Sequence, residues 1–426
     1  SNATDTIVAD AGKYRKMGYR VNWQASFDFP WFGMFIPPVD DDVHWTTFGH
    51  RDYCVPMFEK EARAMKDAGF FTLNYFNVTE VGTYIKYPRP ESVDVSEQDL
   101  WKDANAYLYN KLGDAILFLP DKKTGEKKPV FSWEGSVAMD PGVASYHDFL
   151  LAQLQRHIDK IPSSFGICID RMDWLRFYNP AFDDGVSWYD GKPAQSLLSG
   201  WRRLLPKMAD MLHNVDRVLY VNNHTKRIDV LKGVDGIYDE HSYYPSSLNS
   251  TAFCSLLRPA MGWTLDGNDF NNPDPDSYLQ RFLYLGIFPT APIPGNDHTI
   301  RPDSVTDRYY LDYGPLFDLL RGRRWVLQPH VLSVNDSAAH ANVFALPDAY
   351  VVAVAHAKDA AKVSLTLNNL HGVNNESKIE ALYPGDLSSH PLPSAFKDGV
   401  LTVDVPVKRG CVMIKIKATT QILQTK

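Results

Sequence analysis

The 426-residue chain is poor in cysteine, with only Cys54, Cys168, Cys254 and Cys411, far apart and without a C-x-x-C pair. Such spacing argues against a disulfide framework and against a zinc site. Cys168, inside the run Ile167-Cys168-Ile169, reads as a small buried hydrophobe. No apolar run approaches the ~20 residues that a bilayer-spanning helix needs. Basic charge is in deficit: 44 Lys and Arg stand against 51 Asp and Glu, a formal net charge of −7. The electrostatic footprint of a nucleic-acid or anionic-membrane binder is therefore missing. Also missing are a G-x-G-x-x-G after the first strand, an H-E-x-x-H, a G-x-S-x-G and a P-loop. The Asp266-to-Phe270 segment has the composition of a calcium loop. An EF-hand is nevertheless excluded, because Phe270 falls on a ligand position and Pro273 and Pro275 follow.

What the chain has in surplus is aromatic residues: 22 Phe, 22 Tyr and 10 Trp. Such rings fill large cores, and they also stack on the flat faces of sugar rings. Ser1, Asn2 and Ala3 have the look of a protease scar and are expected to lie outside the fold. A periplasmic or secreted setting is expected if a signal peptide precedes the native start.

From about residue 20 to 325, short apolar runs alternate with amphipathic stretches. Eight strand candidates emerge. The first three are 19–25, 70–76, and either 130–133 or 136–139. The others are 165–170, 217–222, 234–239, 260–265 and 283–288. Helices are expected over 55–68, with Gly69 closing the first, and over 144–160, 194–212 and 307–321. Several runs are apolar throughout, as strands buried on both faces should be. This rhythm predicts an α/β protein, a (β/α)8 TIM barrel over residues 4–326. Beyond Trp325 the pattern changes to alternating runs such as Val363-Ser364-Leu365-Thr366-Leu367 between Gly, Asn, Pro and Ser turns. A small antiparallel β-sandwich over 327–418 is expected there.

Barrel active sites lie at the C-terminal strand ends. Those ends carry Asp170 with Asp173 and Trp174, then Asn222, Asn223 and His224, then Asp239, Glu240 and His241, and finally Asp297 and His298. Trp31, Trp45, Trp188 and Trp263 are interleaved with them. Carboxylates, amides and aromatic walls together suit glycoside hydrolysis: one carboxylic acid protonates the leaving oxygen and a second carboxylate attacks the anomeric carbon or activates water.

The segment Gly166-Ile167-Cys168-Ile169-Asp170, followed about 70 residues later by Asp235-Gly236-Ile237-Tyr238-Asp239-Glu240, resembles the retaining α-glycosidase barrels. These are the melibiase-like, dextranase-like and endo-α-N-acetylgalactosaminidase-like glycoside hydrolases. The resemblance implies Asp170 as nucleophile, Glu240 or Asp239 as acid/base, and a β-sandwich after the barrel. It implies no cofactor or metal and a carbohydrate substrate. The K-W-D melibiase signature is absent, so no subfamily is assigned.

Each residue also has a plainer reading. Asp170 can cap a helix or pair with Arg171 or Arg176, and Asp173 either holds a substrate hydroxyl or pairs with Arg176. Asn222, Asn223 and His224 contact substrate or cap the next helix. His241 and His298 are substrate ligands or hydrogen-bonded structural histidines. Trp174 and Trp263 are wall or core, while Trp31 and Trp188, in polar loops, are the stronger candidates for stacking platforms. Strand alternation points Asp239 and Glu240 to opposite sides, without saying which faces the lumen. Two other classes stay open: a carbohydrate-binding protein on a degenerate barrel, and a metal-dependent hydrolase using strand-end His and Asp residues.

Overall fold

The computed structural model describes residues 3–24, 28–31, 33–121, 123–222, 227–240, 245–255, 258–262, 270–294 and 300–423. By compactness the chain forms two units, Val21–Gly236 and Ser1–Arg20 with Ile237–Lys426.

In the first unit, four parallel strands run in chain order: β1 (Val21–Gln24), β2 (Phe71–Asn77), β3 (Gly166–Asp170) and β4 (Val218–Asn222). Helix α1 (Val55–Asp67) precedes β2, α2 (Ala144–Lys160) precedes β3, and α3 (Leu197–His213) precedes β4. Helix α1 is followed by Gly69 at φ +85°, the left-handed position where a residue without Cβ costs least. Gly166 is required for another reason. A Cβ there would lie 1.9 Å from the Val218 carbonyl oxygen, so β3 and β4 begin side by side only because position 166 is bare.

Register sorts the side chains into two faces. Gln24 donates to Glu61 of α1 at 2.9 Å, and Asn74 contacts His157 of α2 at 3.2 Å. The alternate set, Trp23, Tyr75, Cys168, Asp170, Tyr220 and Asn222, takes the other face, since side chains along a strand alternate. All four cysteines are buried and none is in a disulfide, Cys168 among them.

The second unit contributes β5 (Gly236–Asp239), β6 (Ala260–Gly262) and β7 (Phe288–Pro289), again parallel and in order, with α4 (Pro275–Leu285) before β7 and α5 (Ser304–Asp318) after it. Ten antiparallel strands follow. Six form one sheet: β8 (Arg324–Trp325), β10 (Ala339–Ala345), β11 (Ala349–His356), β17 (Cys411–Lys417), β13 (Ile379–Tyr383) and β14 (Asp386–Pro391). Four form the other: β9 (Leu332–Val334), β12 (Ala360–Asn368), β16 (Val400–Val407) and β15 (Ser394–Lys397). Val363, Leu365 and Leu367 alternate inward from β12 to meet Val352, Val354, Val403, Val405 and Ile414 in one core. Strand β11 is buried along its whole length because its other face packs on α4.

The α/β barrel class with a C-terminal β-sandwich is the observed fold class, and two strand expectations need correction. Among the described residues the parallel strands number seven. Neither third-strand candidate joins them. β2 pairs directly with β3, Leu73 opposite Gly166 through Asn77 opposite Asp170, which leaves no slot between. Val137–Ala138 instead pairs antiparallel with Glu80–Val81, in an excursion between β2 and α2. The expected strand at 283–288 is mostly the last turn of α4. Asp274 caps that helix by accepting from the Ser277 N–H, and Gly286 at φ +64° ends it, leaving only Phe288–Pro289 extended.

Candidate active site at the end of β3

Asp170 is the last residue of β3 and is partly exposed. The Tyr75 hydroxyl on β2 donates to its Oδ2 at 2.7 Å, and the Asn222 amide at the end of β4 donates to its Oδ1 at 3.0 Å. The same-face register of three parallel strands places these groups together. Tyr75 is itself pinned by Trp23, whose ring stacks on it at 5.9 Å and 7°. Burial, reinforced by the negative charge of Asp170, pushes the Tyr75 hydroxyl well above its ordinary pKa. It therefore stays a proton donor across any working pH. A carboxylate gripped on both oxygens and open to one side is oriented for attack or for binding.

Beyond Asp170 the backbone turns sharply, with Arg171 at φ +54° and Trp174 at φ +61°. Left-handed bulky residues are costly and persist only where surrounding contacts hold them. Here Thr79 donates to the Arg171 carbonyl at 2.8 Å. The Arg171 guanidinium reaches Asp173 Oδ2 at 2.7 Å and Glu80 Oε1 at 3.4 Å. Burial raises the pKa of Glu80, although Arg171, Ser132 and Asn77 all pull the other way. Arg171 shows the converse balance: burial opposes its charge, but Glu80 and Asp173 outweigh that and raise its pKa.

Asp173 thus pairs with Arg171, not with the expected Arg176. Trp174 packs on Phe177 at 5.1 Å and against Leu117, Ala138 and Leu197, with its indole N–H buried and without an acceptor. Trp31 stacks on Phe35 at 4.5 Å, and Trp45 is core, donating to the Asp28 carbonyl at 2.8 Å. Trp188 is 64% exposed on a hairpin strand.

In the second unit, Asp239 ends β5 fully buried, at 0% exposure, and accepts from the Thr251 hydroxyl of the helix Pro245–Ser255. Glu240 follows it and is partly exposed. Asn223, His224, His241, Trp263, Asp297 and His298 lie outside the described residues. Among the described residues, no three His, Cys, Asp or Glu side chains gather as a metal-binding group.

Tyr75, Glu80 and Arg171 were not singled out by sequence. Tyr75 sits in an aromatic strand that reads as core, and its alternation with Asn77 toward the strand end was the available signal.

No protein-family model matches the chain, and no curated protein matches it in sequence. Solved structures do. An α-amylase from Geobacillus thermoleovorans, complexed with acarbose, is similar at 13% identity and a TM-score of 0.57, over 98% of this chain and 92% of that one. A maltogenic α-amylase from Thermotoga neapolitana gives 10% and 0.57, over 97% and 94%. A cycloisomaltooligosaccharide glucanotransferase from Paenibacillus sp., complexed with cycloisomaltoheptaose, gives 10% and 0.61, over 97% and 83%. Likeness at such identities is likeness of fold, and the expected resemblance to α-glycosidase barrels holds at that level. It is carried by α-amylase-like structures, which do not single out any of the particular groups named from sequence.

Proposed function

We propose that the chain hydrolyses glycosidic bonds in an α-linked glycan by double displacement with retention. The observation that carries this reading is Asp170, a strand-end carboxylate held on both oxygens by Tyr75 and Asn222 and partly open to solvent. The α preference rests on analogy of fold with α-amylases and a glucanotransferase, and fold alone does not fix chemistry.

In this scheme an Asp170 oxygen forms a bond to the anomeric carbon as the bond to the glycosidic oxygen breaks. Glu240, as the acid, gives its proton to that leaving oxygen. Glu240, now a carboxylate, then takes a proton from water, whose oxygen bonds to the anomeric carbon and releases Asp170. Glu240 is preferred to Asp239 because Asp239 is fully buried and already bonded to Thr251. Trp188, exposed on its hairpin strand, is the stacking candidate in this scheme, and Asn222 acts chiefly by orienting the nucleophile.

The test is turnover on a panel of α- and β-aryl glycosides, with Asp170→Asn as control and proton NMR of the first-formed anomer. Activity confined to α-glycosides, retained configuration and loss in Asp170→Asn are expected. An inverted product, or full activity in Asp170→Asn, would sink the scheme.

A further inference from the structure

The excursion between β2 and α2 carries an aromatic patch that nothing above uses. Tyr84 is 67% exposed, Phe131 46% and Trp133 44%. Scattered surface rings need no explanation, whereas a contiguous patch marks a binding surface. These rings belong together. The Tyr84 N–H donates to the Glu134 carbonyl at 2.9 Å, and the Tyr84 hydroxyl donates to the Glu134 carboxylate at 2.8 Å. Phe48 meets the Trp133 ring edge-on at 5.6 Å. Tyr84 and Glu134 both hold left-handed backbone, at φ +50° and +51°.

The patch is tied to the candidate site. Ser132, between Phe131 and Trp133, donates its hydroxyl inward to buried Glu80, and Glu80 is the ion-pair partner of Arg171, next to Asp170. With Ser132 turned inward, its two aromatic neighbours are left facing solvent. The exposed members named here are rings and the rim includes a carboxylate. That combination suits a pyranose, whose C–H face stacks on a ring while its hydroxyls donate to an acid.

We propose that Trp133, with Phe131, Tyr84 and Glu134, forms a platform for a sugar unit distant from the scissile bond, so that the substrate is an α-glucan chain of several units. This rests on the hydrolase reading above. The platform adds affinity only when the chain is long enough to reach it.

A chain-length series tests it. kcat/KM is measured on maltose through maltoheptaose and on isomaltooligosaccharides of matching length, for wild type, Trp133→Ala, Trp133→Phe and Leu387→Ala. Leu387 is an exposed side chain of the sandwich. Trp133→Ala is expected to lose roughly tenfold on the longest chain and progressively less on shorter ones. Trp133→Phe restores most of that loss, and Leu387→Ala follows wild type. An equal loss at every length, or none at any, overturns the platform and leaves the hydrolase reading standing. If wild type turns over neither series, calorimetry with maltoheptaose decides the platform: binding weakened by Trp133→Ala keeps it and no binding overturns it, while the hydrolase reading stands or falls on the aryl-glycoside panel. A dimer that dissociates on Trp133→Ala in sedimentation makes the patch an interface between copies and overturns the proposal.

Discussion

Tyr75 and Asp170 sit on adjacent parallel strands, two residues out of register and so on the same face, and are joined by a 2.7 Å hydrogen bond from hydroxyl to carboxylate. The bond is buried on the tyrosine side and open on the carboxylate side. A hydrogen bond to a charged group contributes about 1.5–3 kcal/mol, more than a neutral one. Tyr75 also has no freedom to turn away, because Trp23 covers its ring.

Tyr75→Phe keeps the ring stack and removes only the donor. Turnover is expected to fall roughly 10- to 100-fold, with kcat falling more than KM changes, because the nucleophile loses orientation while the binding surface remains. Steady-state kinetics beside a thermal melt check this. Wild-type kcat in a folded Tyr75→Phe protein would remove Tyr75 from the mechanism.

Glu240→Gln is expected to cost roughly 10²- to 10⁴-fold on glycosides with poor leaving groups and much less on activated aryl glycosides, which need little protonation to depart. Azide should restore part of the rate on activated substrates by replacing the water that Glu240 would have deprotonated. If Asp239→Asn shows this leaving-group pattern and Glu240→Gln does not, the acid/base assignment moves one residue back.

Legibility in the sequence followed the range of the interactions. Gly166–Asp170 reads as a strand because burial on both faces makes it apolar throughout, and the sandwich reads from the two-residue alternation of β12 and β16. The third strand was misread because Phe131 and Trp133 are aromatic at strand spacing yet lie on the surface. The strand at 283–288 was misread because the apolar last turn of α4 abuts the extended pair Phe288–Pro289. Asp170 was visible from its position alone. Its partners were not, since Tyr75, Glu80 and Arg171 meet only through the pairing of β2 with β3 and the turn that follows, neither of which leaves a local pattern.

His157 predicts acid sensitivity. Burial lowers its pKa from 6.5 to about 4, and the nearby positive charges of Arg217 and Arg156 add to this against the opposing pull of the Met34 carbonyl. The unfolded chain therefore binds a proton that the native state refuses between those values. Stability contributed by neutral His157 is complete above pH 6.5 and is lost as pH falls toward 4, by about 3 kcal/mol. Urea unfolding at pH 7.5, 6 and 4.5, for wild type and His157→Gln, isolates the effect. The two stability-versus-pH curves should converge toward acid, and parallel curves would exclude His157 as the source.

Arg409 fastens the sandwich to the helices beside it in the second unit. It sits in the turn between β16 and β17 at φ +51°, its Nε 2.7 Å from Asp276 and its Nη1 2.6 Å from Asp312. Tyr309 and Tyr313 lie against the guanidinium at 5.1 and 5.6 Å, and Gln280 donates to the Arg409 carbonyl at 2.8 Å. Burial opposes its charge, but the hydrogen bond to Asp312 and the charge of Asp276 outweigh that and raise its pKa. Arg409→Met strands two partly buried carboxylates and is expected to cost about 2 kcal/mol, a partial form of the penalty for breaking a buried pair. Arg409→Lys should recover little, because a point charge cannot reach both acids with a planar fork. Adding Asp276→Asn and Asp312→Asn to Arg409→Met should return part of the loss, since the stranded charge goes with them. If the triple variant melts below Arg409→Met, the guanidinium works by packing on the two tyrosines and not by charge.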